Sequence, residues 1–204
     1  MKSDVSNLIF DDGMFFAAGE SESTLASATS PSAAAWLVQR AHGGDERAIA
    51  ALERRYLRAA YLTALAIVMR PPEAEDAARD AFAVAIERIE QCGEPARFAA
   101  WFLQLVRRRA LNEPDSRPRA RRIHEERALP TPRVSAALAL RQPLLIALAG
   151  LSEVQREIVL LHEIEAWTHA ELADALGISE SLSREHLSHA RRTLQARLSQ
   201  FART

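Results

Sequence analysis

Apolar residues recur at helical spacing in two stretches of this chain, and a segment rich in proline and arginine separates them. The two stretches are residues 34–113 and 138–204, and the segment between them, residues 114–137, holds four prolines and six arginines. Because proline interrupts helices and charged side chains resist burial, this segment predicts a linker. The pattern as a whole predicts an all-α protein with two small helical domains joined by a flexible linker.

The composition agrees with helices and excludes several classes of protein. The 204 residues include 39 alanines but only 7 glycines and 6% aromatic residues, whereas strands favour β-branched and aromatic side chains. A lone cysteine, Cys92, excludes an internal disulfide framework and a cysteine-rich zinc module. No run approaches the roughly 18 apolar residues of a membrane span, and no signal-peptide pattern begins the chain. We expect a cytoplasmic protein with a disordered tail over residues 1–33.

Turn and capping residues divide the first stretch into four predicted helices. Gly43-Gly44 ends the first helix, Asp45 caps the second, and Pro71-Pro72 ends the second. The third helix is predicted from Pro72 to Gln91, and a loop over 91–97 precedes the fourth. The predicted apolar positions are Ile49, Leu52, Tyr56, Ala60, Leu62, Leu65 and Val68 in the second helix, Ala77, Ala81, Phe82, Ala85, Ile86 and Ile89 in the third, and Phe98, Trp101, Phe102, Leu105 and Val106 in the fourth.

The second stretch contains the pattern of a helix-turn-helix. Its helices are predicted around Pro143 to Ala149, after Ser152, after Thr168, and after Ser179, with Gly177 in the turn before the last one. The predicted apolar residues are Val154, Ile158, Leu161 and Ile164 in the second helix, with Leu172, Leu176 and Ile178 around the turn. In DNA-binding motifs of this kind, the last helix enters the major groove. A plain α-hairpin with a glycine at the end of its first helix is the alternative interpretation.

Two blocks of sequence carry a resemblance to a known family. The first block comprises Leu37-Val38, Gly44-Asp45, Glu73-Ala74-Glu75-Asp76 through Asp80-Ala81-Phe82, and Phe98-Ala99-Ala100-Trp101-Phe102 followed by Arg107. The second comprises Leu151-Ser152, Gln155-Arg156-Glu157, Ala170-Glu171-Leu172-Ala173, Leu176-Gly177-Ile178-Ser179 and Leu187-Ser188-His189-Ala190-Arg191-Arg192. In this order they resemble regions 2 and 4 of the extracytoplasmic-function group of sigma-70 factors, the promoter-specificity subunits of bacterial RNA polymerase.

The resemblance implies an alternative sigma factor that performs no covalent chemistry and needs no cofactor or metal. Its implied partners are the β′ and β subunits of core RNA polymerase, promoter DNA and an anti-sigma factor, without membrane insertion. Core-polymerase binding is implied for Glu73, Glu75, Asp76 and Asp80. Recognition of the minus-10 element is implied for Arg97, Phe98, Trp101, Arg107 and Arg108, although the helical spacing of Phe98 and Trp101 favours core positions for both. Recognition of the minus-35 element is implied for Ser179, Ser181, Arg184, Glu185, His186, His189, Arg191 and Arg192.

Several residues depart from the family pattern and keep alternatives open. Ala77 and Ala78 replace large aliphatic residues, which predicts a thinner polymerase-binding surface. Ser183 falls at a position that is normally buried, and a small rotation of the helix would bury Leu182 instead. Glu185 brings a negative charge towards the phosphates of DNA, although a carboxylate can accept a hydrogen bond from the amino group of cytosine. A sigma-like protein that sequesters an anti-sigma factor, or a helix-turn-helix regulator that does not initiate transcription, is therefore the alternative function.

Overall fold

The computed structural model describes residues 31–111 and 137–201, which belong to two compact units. Within these ranges the chain forms eight α-helices and no strand, which confirms the predicted all-α fold. The first unit contains α1 (Pro31–His42), α2 (Glu46–Val68), α3 (Pro71–Glu87) and α4 (Phe98–Ala110), and the second contains α5 (Ala137–Leu148), α6 (Glu153–Glu165), α7 (His169–Leu176) and α8 (Glu180–Phe201). Residues 1–30 of the predicted tail and 114–136 of the predicted linker lie outside the described residues, whereas Pro31 and Ala137, which the prediction left outside the domains, each begin a helix.

Helix α2 is the central element of the first unit. The Asp45 carboxylate caps its first turn by accepting from the backbone N–H groups of Arg47 and Ala48, at 2.9 and 3.4 Å. The helix ends at Met69, which adopts a left-handed conformation at φ 55°. Helices α1, α3 and α4 all pack against α2, so the whole run from Leu62 to Ala66 is buried. The predicted apolar residues at its two ends, Ile49 and Val68, are only half-buried.

An aromatic cluster joins α2, α3 and α4. Phe98 and Phe102 of α4 are fully buried and stack on each other with ring centroids 5.7 Å apart. Tyr56 of α2 lies 5.3 Å from Phe98, and Phe82 of α3 meets Phe102 edge to face at 5.9 Å. Such aromatic pairs add about 0.5–1.5 kcal/mol each beyond the burial of their area. The cluster therefore fixes the position of α4, which carries the candidate DNA-binding residues of this unit.

Helix α3 is shorter and rotated relative to the sequence prediction. It ends at Glu87 rather than Gln91, and a 3₁₀ turn over Ile89–Cys92 follows it. Its buried face comprises Ala74, Ala78, Ala81, Phe82, Val84 and Ala85. Ala77 and Ile86, which were predicted to face inward, are half-buried because α2 and α4 both pack against the other side of the helix. The predicted loop over 91–97 contains a second 3₁₀ turn, Pro95–Arg97.

Helices α6 and α7 of the second unit begin at the predicted capping boxes. Both side-chain-to-backbone bonds are present at Ser152 and at Thr168. The core of α6 is Ile158–Leu161, whereas Val154 in its first turn is exposed and Ile164 is half-buried, contrary to prediction. Leu172 is fully buried, and Leu176 and Ile178 are half-buried.

Helix α5 is longer than the sequence predicted. It begins at Ala137 and contains Pro143 in its interior, although the prediction placed the start of the helix around that proline. The residues before Pro143 are mostly alanine, leucine, arginine and glutamine, which are strong helix formers. Their propensity favours the extension despite the proline.

Replacement of Phe102 by alanine is expected to destabilise the first unit by about 3–5 kcal/mol, because a large buried aromatic side chain is removed from its packed partners. The free energy of unfolding from urea titration measures the loss. Leu111→Ala is the control, since Leu111 is 52% exposed and its truncation is expected to change stability by less than about 0.5 kcal/mol. Equal losses in the two variants would contradict the assignment of this core.

Candidate nucleic-acid interface

The turn between α7 and α8 is held by backbone and capping bonds at both ends. Gly177 ends α7 in a left-handed conformation at φ 68°, and the Ile178 N–H donates to the carbonyl of Ala173 at 3.1 Å. The Ser179 hydroxyl then accepts from the N–H of Leu182 at 3.2 Å and caps α8. The described residues therefore form the helix-turn-helix that the sequence predicts, with α8 as its second helix.

Helix α8 has one buried side and a polar outward side. The buried stripe of its first four turns is Ser183, Leu187, Ala190 and Leu194. At about 100° of rotation per residue, the opposite side carries Ser181, Glu185, Ser188 and Arg192, and all four are exposed. Of the other predicted minus-35 residues, Ser179, Arg184, His189 and Arg191 are exposed and His186 is half-buried. The outward side is free to meet a groove along its N-terminal half.

Three of the predicted DNA-binding residues have partners within the unit. Arg184 pairs with Glu180 at 2.7 Å, and Arg191 pairs with Glu163 of α6 at 2.5 Å. The ring nitrogen Nδ1 of His189 lies 3.2 Å from Nε2 of Gln155. Exposed ion pairs of this kind contribute at most about 1 kcal/mol, so a phosphate can replace the carboxylate. Both arginines are more than half exposed and remain accessible to DNA.

Ser183 is buried in α8, and the predicted rotation of the helix is wrong. Its side chain is fully buried, whereas Leu182 remains 37% exposed. The reason is a hydrogen bond of 2.9 Å between Ser183 Oγ and His169 Nδ1, which satisfies the hydroxyl without solvent. The His169 ring stacks on His162 at 4.9 Å, and His162 Nδ1 lies 2.8 Å from the carbonyl oxygen of Trp167. The members of this polar cluster come from three separate helices, so no local pattern in the sequence predicts it.

A shallow cleft of about 200 Å³ lies beside α4 in the first unit. Its lining residues are Cys92, Glu94, Arg97, Ala100, Trp101 and Gln104. The cleft is smaller than the roughly 300 Å³ or more that a drug-sized ligand requires. The Cys92 thiol donates to the Glu94 carbonyl at 3.4 Å, and burial raises the pKa of this thiol. Two of the predicted minus-10 residues line this cleft: Arg97 from the second 3₁₀ turn and Trp101 from α4.

Phe98 is a core residue rather than a surface for DNA. It is fully buried between Tyr56 and Phe102, and only its neighbour Trp101 reaches the cleft. The assignment of Phe98 to the minus-10 surface is therefore corrected. Helical spacing alone could not show which of Phe98 and Trp101 is buried in the core and which reaches the cleft, because both fall near the same side of α4.

The last turn of α4 carries three consecutive arginines. Arg108 is exposed, and Arg107 and Arg109 are half-buried. The helix dipole favours cations in the last turn, so these arginines stabilise α4 in addition to their candidate role in DNA binding. The predicted minus-10 residues Arg107 and Arg108 both reach solvent.

The predicted polymerase-binding acids do not all share one side of α3. Glu73, Asp76 and Asp80 follow helical spacing on one face, while Glu75 lies about 100° or more away around the helix axis and pairs with Arg79. Glu73 pairs with Arg70 at 2.6 Å. Among the described residues, Asp76 and Asp80 have no ion-pair partner, so their charge is available at the surface.

Residues 31–111 and 137–201 contain neither a candidate membrane span nor a candidate metal site. No helix there is long and apolar enough to cross a membrane. No group of three or more histidine, cysteine or carboxylate side chains there is arranged to hold a metal ion.

The second unit is expected to lose stability as the pH falls below about 6.5. Burial lowers the pKa of His169, and the nearby His162, Arg184 and Arg191 lower it further, against an opposing effect of Glu180. Because the folded state favours the neutral ring, protonation below the usual pKa of 6.5 favours the unfolded state, and the loss levels off below the folded pKa. Urea titrations at pH 7.5 and pH 5 measure the effect.

The control for this pH dependence is His169→Gln, which has no titrating ring at the same position. The variant is expected to lose less stability between the two pH values than the wild type. An identical pH dependence in both proteins would contradict the role of His169.

Two family models match the chain in the order of its two units. The model of Sigma-70 region 2 matches residues 52–119, and the model of Sigma-70, region 4 matches residues 141–194. The chain is also 30% identical over 154 residues to the probable RNA polymerase sigma factor RfaY of Xanthomonas campestris pv. campestris. This match covers 67% of the chain and 37% of RfaY, so the chain spans little more than a third of that relative's length.

A solved structure has the same fold. It is that of CnrH in complex with the cytosolic domain of CnrY, with a TM-score of 0.62 and 23% identity, covering 81% of this chain and 97% of the CnrH chain. The two region models together match 122 residues, which is more than half of the chain. The chain therefore belongs to the sigma-70 family.

Proposed function

We propose that this chain is an alternative sigma factor that binds core RNA polymerase in the cytoplasm and directs it to specific promoters. The observation that carries the proposal is the outward polar side of α8, which a helix-turn-helix presents in the same chain as a region 2 unit. A sigma factor needs both parts, because the two promoter elements and the polymerase must be bound together. Its action is recognition and duplex opening, with no covalent step.

The second unit is proposed to bind the minus-35 element. Ser181 and Glu185 lie in the N-terminal half of the outward side, where a recognition helix meets base edges. Arg192 lies about two turns further along, and Arg191 is accessible beside it. These arginines are suited to phosphate contacts, which position the helix without reading sequence.

The first unit is proposed to hold an unpaired base of the minus-10 element in the cleft beside α4. Extrusion of a base costs a few kcal/mol, which contacts in a pocket must offset. Trp101 offers an aromatic wall and Arg97 a cation at the same cleft. Arg107 and Arg108 would contact the neighbouring backbone phosphates from the last turn of α4.

The acidic face of α3 is proposed to dock on the polymerase. Asp76 and Asp80 have no ion-pair partner in the part of the chain that the structure describes, and Glu73 extends the same face. Ala78 is fully buried and is no part of this surface, whereas Ala77 is half-buried beside it. The small Ala77 side chain leaves a shallower contact, so charge would contribute a larger share of the docking energy.

An anti-sigma factor is proposed as a further partner. CnrH, which shares the fold, was solved with the cytosolic domain of CnrY. By extension, a cytosolic protein domain would bind this chain and keep it from the polymerase. The alternative function, a sigma-like protein that only sequesters such a partner, would retain this binding and lack transcription.

Addition of the purified chain to core polymerase is expected to start transcription from a subset of a randomised promoter library. Sequencing of the transcripts measures this activity and gives the enriched minus-10 and minus-35 elements. Core polymerase alone is the control. Stable binding to core without any enriched promoter would favour the alternative function, and absence of both binding and transcription would refute the proposal.

Reversal of charge at Asp76 is expected to weaken binding to core polymerase tenfold or more, since like charges across an interface cost several kcal/mol. Fluorescence anisotropy of the labelled variant Asp76→Lys measures the dissociation constant. Glu53→Lys is the matched control, because Glu53 is exposed on α2 outside the acidic face. Equal affinities of the two variants would contradict docking through α3.

A further inference from the structure

Glu185 lies at the centre of the outward side of α8. At about 100° per residue, it is nearly opposite the stripe formed by Ser183, Leu187 and Ala190, which packs into the unit. Its position two turns into the helix places it in the part of a recognition helix that meets base edges. A helix seated in a groove through this side must bring the carboxylate to the floor of the groove.

The side chain of Glu185 is exposed on the surface of α8. Its helical neighbours on the outward side are Ser181, Ser188 and His189, none of which is a permanent cation. The nearest arginine in sequence, Arg184, is held by Glu180 on the flank of the helix. Among the described residues, Glu185 has no ion pair or hydrogen bond. Within the described part of the chain, the acceptor positions of its carboxylate are therefore available to a partner.

A carboxylate in the major groove has few favourable partners. It is only an acceptor, and the phosphates on both sides of the groove repel it. Guanine presents two acceptors in the groove, thymine presents one acceptor beside its methyl group, and adenine presents an acceptor beside its amino group, so each of these bases places an acceptor that repels a carboxylate oxygen. Cytosine presents its amino group as a donor with no acceptor beside it. A cytosine therefore matches the chemistry of Glu185 better than the other bases.

We infer that Glu185 is a specificity-determining residue that selects a cytosine in the minus-35 element by accepting a hydrogen bond from its amino group. The inference rests on the proposed function and adds a base identity to it. Arg192, on the same side about two turns later, supplies the phosphate contact that holds Glu185 against the base despite the charge repulsion.

The test uses the full chain with core polymerase and a promoter library randomised over the minus-35 element. The wild type is expected to enrich cytosine at one position by about tenfold over the other bases, within the range of a good base contact. The variant Glu185→Gln is expected to shift that position towards adenine, because glutamine pairs with the donor and acceptor of adenine. Glu185→Ala is expected to lose the preference at that position only.

Glu180→Gln is the matched control. It removes the same charge from the same helix, but from a flank where the side chain is held against Arg184. It is expected to change the overall yield of transcripts while the cytosine preference remains. An active wild type whose base preferences are unchanged by Glu185→Gln and Glu185→Ala overturns the inference and leaves the proposed function intact. A wild type that yields no transcripts from any sequence overturns both.

Discussion

The packing of one side of α8 against the rest of the second unit determines which of its side chains are exposed on the outward side of the helix. Leu187, Ala190 and Leu194 supply the apolar part of that contact. Ser183 supplies a polar part through its hydrogen bond to His169. Because this bond allows Ser183 to be buried, the helix keeps the rotation that an apolar residue at position 183 would give it. With the rotation set, Ser181, Glu185, Ser188 and Arg192 are exposed as a group, and the proposed recognition of the minus-35 element depends on that group.

In the first unit, the packing of α4 against α2 and α3 positions the candidate site. Its helices approach closely because α2 and α3 are rich in alanine, and the aromatic rings of Tyr56, Phe82, Phe98 and Phe102 fill the space around α4. The fully buried Phe98 fixes the start of α4, so that its neighbour Trp101 is directed to the cleft. A core residue and a candidate base-binding residue thus lie three positions apart on one helix, and the core residue positions the other.

Local signals in the sequence predicted the helix starts well. Asp45, Ser152, Thr168 and Ser179 each cap a helix where expected, because a capping bond involves residues only two or three positions apart. The left-handed turn at Gly177 is equally local. The order of the two blocks resembling regions 2 and 4 also agreed with the family models.

Features that depend on contacts between helices were predicted less well. The rotation that would bury Leu182 was wrong because the partner of Ser183, His169, belongs to another helix. The inward face assigned to Ala77 and Ile86 was wrong because two neighbouring helices pack on the other side of α3. The separation of Phe98 from Trp101 likewise depends on Tyr56, which is distant in sequence.

We propose that the outward side of α8 contacts promoter DNA in the polymerase complex. Site-specific photo-crosslinking measures this contact, with a probe at Ser188 on the outward side and a second probe at the half-buried Thr193 for comparison. We expect a crosslink from position 188 to DNA of the minus-35 element and none from position 193. Crosslinks from position 188 to protein alone, in a complex that transcribes, would contradict it.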